Sequence, residues 1–462
     1  MLWTTHRRKI FDGDKVNRSQ GRATTAVDEW RTGAAGFAAM SLTLRTVPIS
    51  LWVFLAALAV YAVTLLAGGM LRQTGVVYFD ELAAAFLRGE LHLATPSQRH
   101  DLSSFGGRWY VPFPPLPALL LLPWVATGGV SAVNSVVFSV LCGAVSIAAV
   151  DAMLAALAGR GLAPRRWRDR VWLTALFGFG SVHWTVSILG SVWYLGQTCS
   201  VMCLAVAGWL AASGRPGWQV GAALGLAMLG RPNLMLAWPF LWGCAHLARA
   251  GGDEIARSRA WVLGSVGAVG SAGCLLAMYN FARFGSPFDF GYTHALVPPR
   301  LADDLAQHGQ FDVAYLPRNL EIFFARLPQW RAGAGLTTDF EGMSVFVTTP
   351  ALLFLALALR ALRGLRGLRA RGPRAREAEP VREFVVATWV SLGLLLLPIV
   401  SYYNTGWMQF GARFSLDLMV PAVALLGVVT RERMGWLFQA VVGVGVLVNA
   451  WGVILWLRVL RG

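Results

Sequence analysis

Apolar residues run along this chain in long blocks, and the polar residues gather in short stretches between them. A block of about 20 apolar residues is long enough to cross a bilayer as a helix. Helices are the expected form, because backbone groups in lipid must satisfy one another. Blocks of this length fall at about 47–69, 131–158, 171–189, 197–213, 217–230, 233–249, 261–281, 343–362, 384–403, 415–430 and 436–457. The pattern therefore predicts an all-α, polytopic transmembrane bundle of roughly 11 spans. Two further segments break the rhythm. Residues 76–89 (VVYFDELAAAFLRG) predict a short amphipathic helix lying along the membrane surface. Residues 112–126 (PFPPLPALLLLPWVA) are apolar but short and hold five prolines, which predicts an interfacial or re-entrant helix rather than a crossing one.

Composition supports the membrane reading. Of 462 residues, 56% are hydrophobic and 14% charged, with a mean hydropathy of +0.54. A soluble domain carries about 25% charge. The formal charge of +16 does not mark a nucleic-acid binder, because the basic residues are scattered over separate short loops instead of forming one face. That scatter sets orientation, since cytoplasmic loops of membrane proteins are enriched in Lys and Arg. With the N-terminus inside, 27 of the 40 Lys and Arg fall on the cytoplasmic side. Residues 1–46 then read as a basic cytoplasmic tail, and 47–462 as one transmembrane domain. Residues 70–130 form a first outer loop and 282–342 a second, with 363–383 cytoplasmic. No cleavable signal peptide and no internal repeat are expected. The five cysteines all lie in apolar runs and suggest neither a disulfide framework nor a metal site.

Charged residues at the outer membrane surface are the candidates for chemistry. The first outer loop offers Asp80, Glu81, Arg88, Asp101 and Arg108. A carboxylate there could serve as a general base. Adjacent Asp80 and Glu81 point apart on a helix and do not form a dyad. Arg231 interrupts two apolar runs in LGRPNLMLAWP, where an unpaired cation is costly. Arg413 and Asp417 stand four apart in QFGARFSLDLMVP, as a helix ion pair or as an anion clamp oriented by Asp417. A guanidinium fork suits phosphate because it presents two donors to two oxygens. His183, within an apolar run, is expected to be a packing residue.

Five segments in order, ELAAAFLRGEL, GGRWYVPFPPLPALLLLP, LAMLGRPNLMLAWP, NFARFGSPFDFGY and GWMQFGARFSLDLMVP, resemble the GT-C superfamily of membrane glycosyltransferases. The likeness is to its branch of protein O-mannosyltransferase-like and lipid A aminoarabinose transferase-like proteins. What the resemblance implies is sugar transfer, with inversion, from a polyprenyl-phosphate carrier to a glycan, lipid or protein acceptor on the outer face of a bacterial plasma membrane. Asp80 and Asp101 would be the base candidates, Arg231, Arg413 and Arg88 the phosphate ligands, and Asp417 an orienting group. No cofactor is implied, and nothing demands a divalent metal. The chain departs from the family pattern in two places. Gly75 stands where the family keeps its catalytic Asp, and Pro112 and Phe113 replace a Glu-Lys pair. A transporter or lipid flippase, or a non-catalytic GT-C-like protein, are the alternatives.

Overall fold

The computed structural model describes residues 49–73, 75–247, 254–333, 335–359 and 373–459. The expected basic tail at 1–46 and much of the expected cytoplasmic loop at 363–383 lie outside the described residues. The chain is an all-α, membrane-embedded bundle. Among the described residues its helices, apart from the short Leu316–Leu320 and Val345–Thr348, are in order α1 (Ile49–Gly68), α2 (Phe79–Leu87), α3 (Leu116–Gly128), α4 (Ser135–Ala158), α5 (Trp167–Gly178), α6 (His183–Ser187), α7 (Val192–Ala212), α8 (Gly217–Met228), α9 (Trp238–Leu247), α10 (Glu254–Phe284), α11 (Pro299–His308), α12 (Pro350–Leu359), α13 (Pro373–Val400), α14 (Leu416–Thr430) and α15 (Trp436–Val459).

Among the described residues, seven helices are long and apolar enough to cross a membrane: Ile49–Gly68, Ser135–Ala158, Val192–Ala212, Ser258–Phe284, Val381–Val400, Arg413–Thr430 and Trp436–Arg458. Their burial divides them. Val192–Ala212 and Arg413–Thr430 have 78% and 89% of their apolar windows buried, whereas Ile49–Gly68 and Ser258–Phe284 have 17% and 22%. The first two form the protein-lined centre, and the other two present apolar side chains outward, as lipid-facing helices do. The α8–α10 contact shows how close two of these helices come. Gly217 and Gly221 lie so near α10 that a Cβ on either would overlap the carbonyl oxygen of Trp261 or Ser265. Small residues four apart permit this approach between membrane helices, where packing replaces the hydrophobic drive.

Several expected spans are interrupted. The run at 171–189 divides into α5 and the single turn α6, with a break at Phe179–Val182. The runs at 217–230 and 233–249 become the 12-residue α8, a 3-10 turn (Pro232–Ala237) and the 10-residue α9. The run at 343–362 is split before Pro350. Two of these breaks sit at a proline, which lacks the N–H a continuous helix needs. The break at Pro232 has a specific consequence. A residue before proline is pushed out of helical geometry, and Arg231 is extended (φ −144, ψ 101), so it leaves the axis of α8.

The two expected outer loops meet at one end of the bundle. The amphipathic helix expected at 76–89 is present as α2, and it packs on α3. Beyond it, Ser103–Phe105 and Arg108–Tyr110 form a hairpin whose turn glycines, Gly106 and Gly107, both have positive φ (56 and 74). Such a turn matches strand twist and favours glycine. This loop is stitched to the second one by Asp101 N–H to Leu296 O (3.1 Å), Leu296 N–H to Leu102 O (3.0 Å) and Ser103 Oγ to Gly291 O (2.7 Å). Phe311 in turn bridges to Tyr402, in the segment after α13. Arg283 at the end of α10 holds the same assembly from below, donating to Val111 O (2.6 Å) and Asn280 Oδ1 (2.7 Å) and lying over the Tyr279 ring.

Candidate functional site

Where these loops converge on the ends of α7, α13 and α14 there is a cavity of about 240 Å³. Three charged side chains line it among the described residues: Asp101, Arg231 and Arg413. They come from positions up to 312 residues apart in the numbering (413 less 101). Most of the remaining wall is aromatic or prolyl, including Phe113, Trp193, Tyr292, Tyr402 and Phe414.

Arg231 reaches the cavity because Pro232 takes it off the helix. Its Nε and Nη2 both donate to Asp417 Oδ2, at 3.0 and 2.8 Å. Asn233 Nδ2 donates to the same oxygen (2.7 Å), and Gln197 Nε2 donates to Oδ1 (3.2 Å). Asp417 is fully buried, so the partners are what permit its charge there. The expected Arg413–Asp417 pair is therefore corrected: Asp417 orients Arg231. The cause is local. Arg413–Ser415 is a 3-10 turn, which advances three residues per turn instead of 3.6, so positions 413 and 417 do not stack as they would on an α-helix.

Arg413 is consequently left without an acid. Only 6% exposed, it forms no ion pair with any described residue. Its Nη1 donates to Trp193 O at 3.3 Å, and its Nε is buried with no partner. The guanidinium lies over Phe414 (4.7 Å) and near Tyr194 (5.4 Å), and Arg231 lies over the same Phe414 ring (4.8 Å). The loop before α14 fixes this position. Gln409 Oε1 accepts from Arg413 N–H (3.0 Å) while its Nε2 donates to Glu341 O (2.6 Å) and Thr405 O (2.8 Å). Gly406, at φ +95, passes so near Arg413 Nε that a Cβ would stand 3.0 Å away. A buried cation without an ion pair is costly in a membrane protein, and one that lines a cavity is a candidate for binding an anion.

Asp101 faces the cavity from the first loop. It is itself in the left-handed region (φ 59), a conformation non-glycine residues seldom adopt and one that clusters at functional sites. Its Oδ2 accepts Trp193 Nε1–H at 2.9 Å and lies 3.8 Å from His100 Nε2. Burial raises its carboxyl above the ordinary range, against the lowering influence of His100, Trp193 and Arg413. Trp193 thus touches both charged partners, through its ring N–H to Asp101 and through its backbone carbonyl to Arg413. Sequence reasoning singled out neither Trp193 nor the three tyrosines Tyr292, Tyr402 and Tyr403, since aromatic residues are common throughout this chain and carry no periodic signal.

The other two candidates are elsewhere. Asp80, the first choice as base, does not line the cavity. It lies buried in the first turn of α2, where Oδ1 accepts Glu81 N–H (2.9 Å) and Oδ2 accepts Gln73 Nε2–H (3.2 Å). Gln73 in turn receives Ser135 N–H (2.6 Å), so Asp80 helps moor the loop to α4. Its neighbour Phe79, not Asp80, reaches the cavity. Arg88 caps the far end of α2, half exposed and paired with Glu90 (3.0 Å), so it is not placed to bind a phosphate in this cavity. His183 is a packing residue as expected, buried with Nδ1 within 2.8 Å of Tyr61 Oη.

Burial pushes the Asp80 carboxyl up to about 6. Folding then costs more when the group is charged, and that cost is present above pH ~6 and disappears as pH falls toward the ordinary carboxylate value. Asp80→Asn is expected to raise the thermal midpoint at pH 8 more than at pH 5. Thermal unfolding in nanodiscs at the two pH values checks this; an equal or smaller rise at pH 8 would show that Asp80 carries no such burial cost.

No protein-family model matches this chain, and no curated protein or solved structure matches it either.

Proposed function

We propose that the chain is a membrane glycosyltransferase that moves a sugar from a polyprenyl-phosphate carrier to an acceptor at the outer membrane face. The observation that carries this reading is Arg413, without an ion pair among the described residues and buried beside Arg231 in a cavity whose one carboxylate among those residues is Asp101. The two guanidiniums offer donors to an anion, and a carboxylate of raised proton affinity lines the same cavity to take a proton. The likeness to GT-C enzymes supports the same assignment, with Asp101 doing what Gly75 cannot.

In this mechanism Arg231, held by Asp417, binds and orients the carrier phosphate. Arg413 lacks a competing carboxylate and meets the charge that grows on the phosphate as the glycosidic bond breaks. Preorganised cations in a water-poor site are effective at that task. Asp101 accepts the acceptor hydroxyl proton as the oxygen attacks the anomeric carbon from the opposite side. The topology proposed with it has 11 spans, with the interrupted α5–α6, α8 and α9 segments counted as crossings and α3 lying at the interface. The N-terminus is cytoplasmic, as the arginine asymmetry requires.

A second reading, lipid-phosphate binding without transfer, is favoured by Gly75 at the position of the family's acid. Release of sugar from polyprenyl-phosphate sugar, with and without an added acceptor membrane fraction, separates the two. The transferase reading expects acceptor-stimulated release that Arg413→Ala removes. Tight carrier binding with no release under any acceptor would support the second.

A further inference from the structure

Beyond its three charged residues, the polar lining of the cavity is neutral. Among the described residues these neutral polar groups include Gln310, Tyr292, Tyr402, Tyr403 and Asn404. Backbone bonds hold these groups in place: Tyr403 N–H donates to Gln310 O (3.1 Å), and Asn404 Oδ1 accepts from Gly406 N–H (2.8 Å). Tyr402 and Tyr403 pack edge to face, their centroids 4.8 Å apart, with Phe311 against Tyr402 at 5.2 Å. This part of the wall, which meets the arginines at Phe414, is thus made of aromatic faces bearing amides and phenols. Such a surface offers apolar area to the C–H face of a ring and donors and acceptors to its hydroxyls.

We infer that the transferred unit is an uncharged, hydroxyl-bearing sugar ring, seated against Gln310, Tyr402, Tyr403 and Asn404. This rests on the lipid-phosphate reading above. Burial raises the Tyr292, Tyr402 and Tyr403 phenols, so all three stay protonated and neutral at any physiological pH. The charged residues of the cavity argue against the other sugar classes. An ammonium on the ring would be repelled by two guanidiniums unless it took Asp101, and an Asp101 so paired would be a weaker base. A ring carboxylate would compete with the carrier phosphate for Arg231 and Arg413. Charge placed against the amide and phenol wall would lose water without an opposite charge in return. A sugar hydroxyl has no such cost, because the wall supplies its bonds. The scale of the cavity, about 240 Å³, suits one ring and its phosphate rather than an oligosaccharide.

Native mass spectrometry of the full chain in nanodiscs tests this with four probes: bare polyprenyl phosphate, and the same lipid carrying mannose, a 4-amino-4-deoxypentose or a uronic acid. The mannosyl lipid is expected to bind about ten-fold tighter than the bare lipid, the equivalent of one good hydrogen bond to a fixed partner. The amino and uronic forms are expected to bind no tighter than the bare lipid. A charged form equal to the mannosyl form, or a mannosyl form no tighter than the bare lipid, overturns the inference. If bare polyprenyl phosphate itself fails to bind, the lipid-phosphate reading falls, and this inference with it. Gln310→Glu supplies the second measurement. A carboxylate in that wall should move the ratio of amino to mannosyl binding by about ten-fold toward the amino sugar. An unchanged ratio in a folded variant would remove Gln310 from the sugar wall and overturn the seat assigned here.

Discussion

Arg413→Ala is expected to lower turnover by about 100- to 1000-fold, the effect of removing one preorganised donor from a developing oxyanion. The size follows from where the residue stands. Arg413 is buried, touches no carboxylate within ion-pair reach among the described residues, and has a guanidinium N–H with nothing to bond. Its charge therefore has no ion-pair partner among the described residues, and in the proposed mechanism the carrier phosphate supplies one. Arg231 differs, since Asp417, Asn233 and Gln197 already complete a network around it. Arg231→Ala should leave Asp417 buried with its charge uncompensated and lower stability as well as binding. Arg413→Ala removes a cation that forms no ion pair with a described residue, so the fold should tolerate it better than Arg231→Ala. The measurement is turnover beside thermal midpoint for Arg413→Ala, Arg413→Lys and Arg231→Ala. Lysine at 413 should recover part of the rate, because it restores charge without the planar fork. A stably folded Arg413→Ala that turns over normally would refute its role at the leaving phosphate.

The second large effect belongs to Asp101. Asp101→Asn keeps the shape of the side chain, including an oxygen to accept the Trp193 ring N–H, and removes the base. Turnover should fall on the order of 100- to 10,000-fold, while carrier binding, which depends on the arginines, should persist. Because burial holds the Asp101 carboxyl above the ordinary carboxylate range, turnover in the parent should decline as pH falls through that raised value, the base being lost to protonation. Trp193→Phe removes a hydrogen bond that favours the ionised form, so its declining limb should move to higher pH. The groups that also act on Asp101 are His100, 3.8 Å away, and Arg413, with the Tyr78 and Tyr403 phenols nearby. His100→Gln should move the limb in the same direction as Trp193→Phe, since His100 likewise favours the charged carboxylate. A pH–turnover profile of all three proteins checks the set. Limbs that coincide with the parent's would show that Asp101 does not titrate in the rate-limiting step.

Much of the site was written in the sequence as anomalies against an apolar background. Arg231 and Arg413 stood out because charge inside an apolar run is costly, and both line the cavity. The amphipathic stretch at 76–89 announced α2 by its periodicity, and the segments 70–130 and 282–342, expected on one side from the arginine asymmetry, hydrogen-bond to each other. Which acid lines the cavity was not legible in the sequence, for a physical reason. Asp80 was preferred for its nearness to a family position along the chain, but one turn of α2 decides whether a residue faces the cavity or the supporting wall. Phe79 took the first place and Asp80 the second.

Apolar block length and charge placement determined by themselves that this chain forms membrane helices, because a backbone in lipid has few other ways to satisfy its hydrogen bonds. Pro232 also determined that the segment around Arg231 would break. Which acid neutralises which arginine was decided only by the tertiary structure. Positions four apart predicted Arg413 with Asp417, yet a 3-10 turn rotated them away from each other, and Asp417 was claimed by an arginine 186 residues earlier. An ion pair in a low-dielectric interior forms with whatever partner the packing brings within reach, and that distance is set by how α8 and α14 approach, not by spacing along the chain. The same packing left Arg413 without an ion pair among the described residues, and the candidate chemistry of this protein follows from that placement.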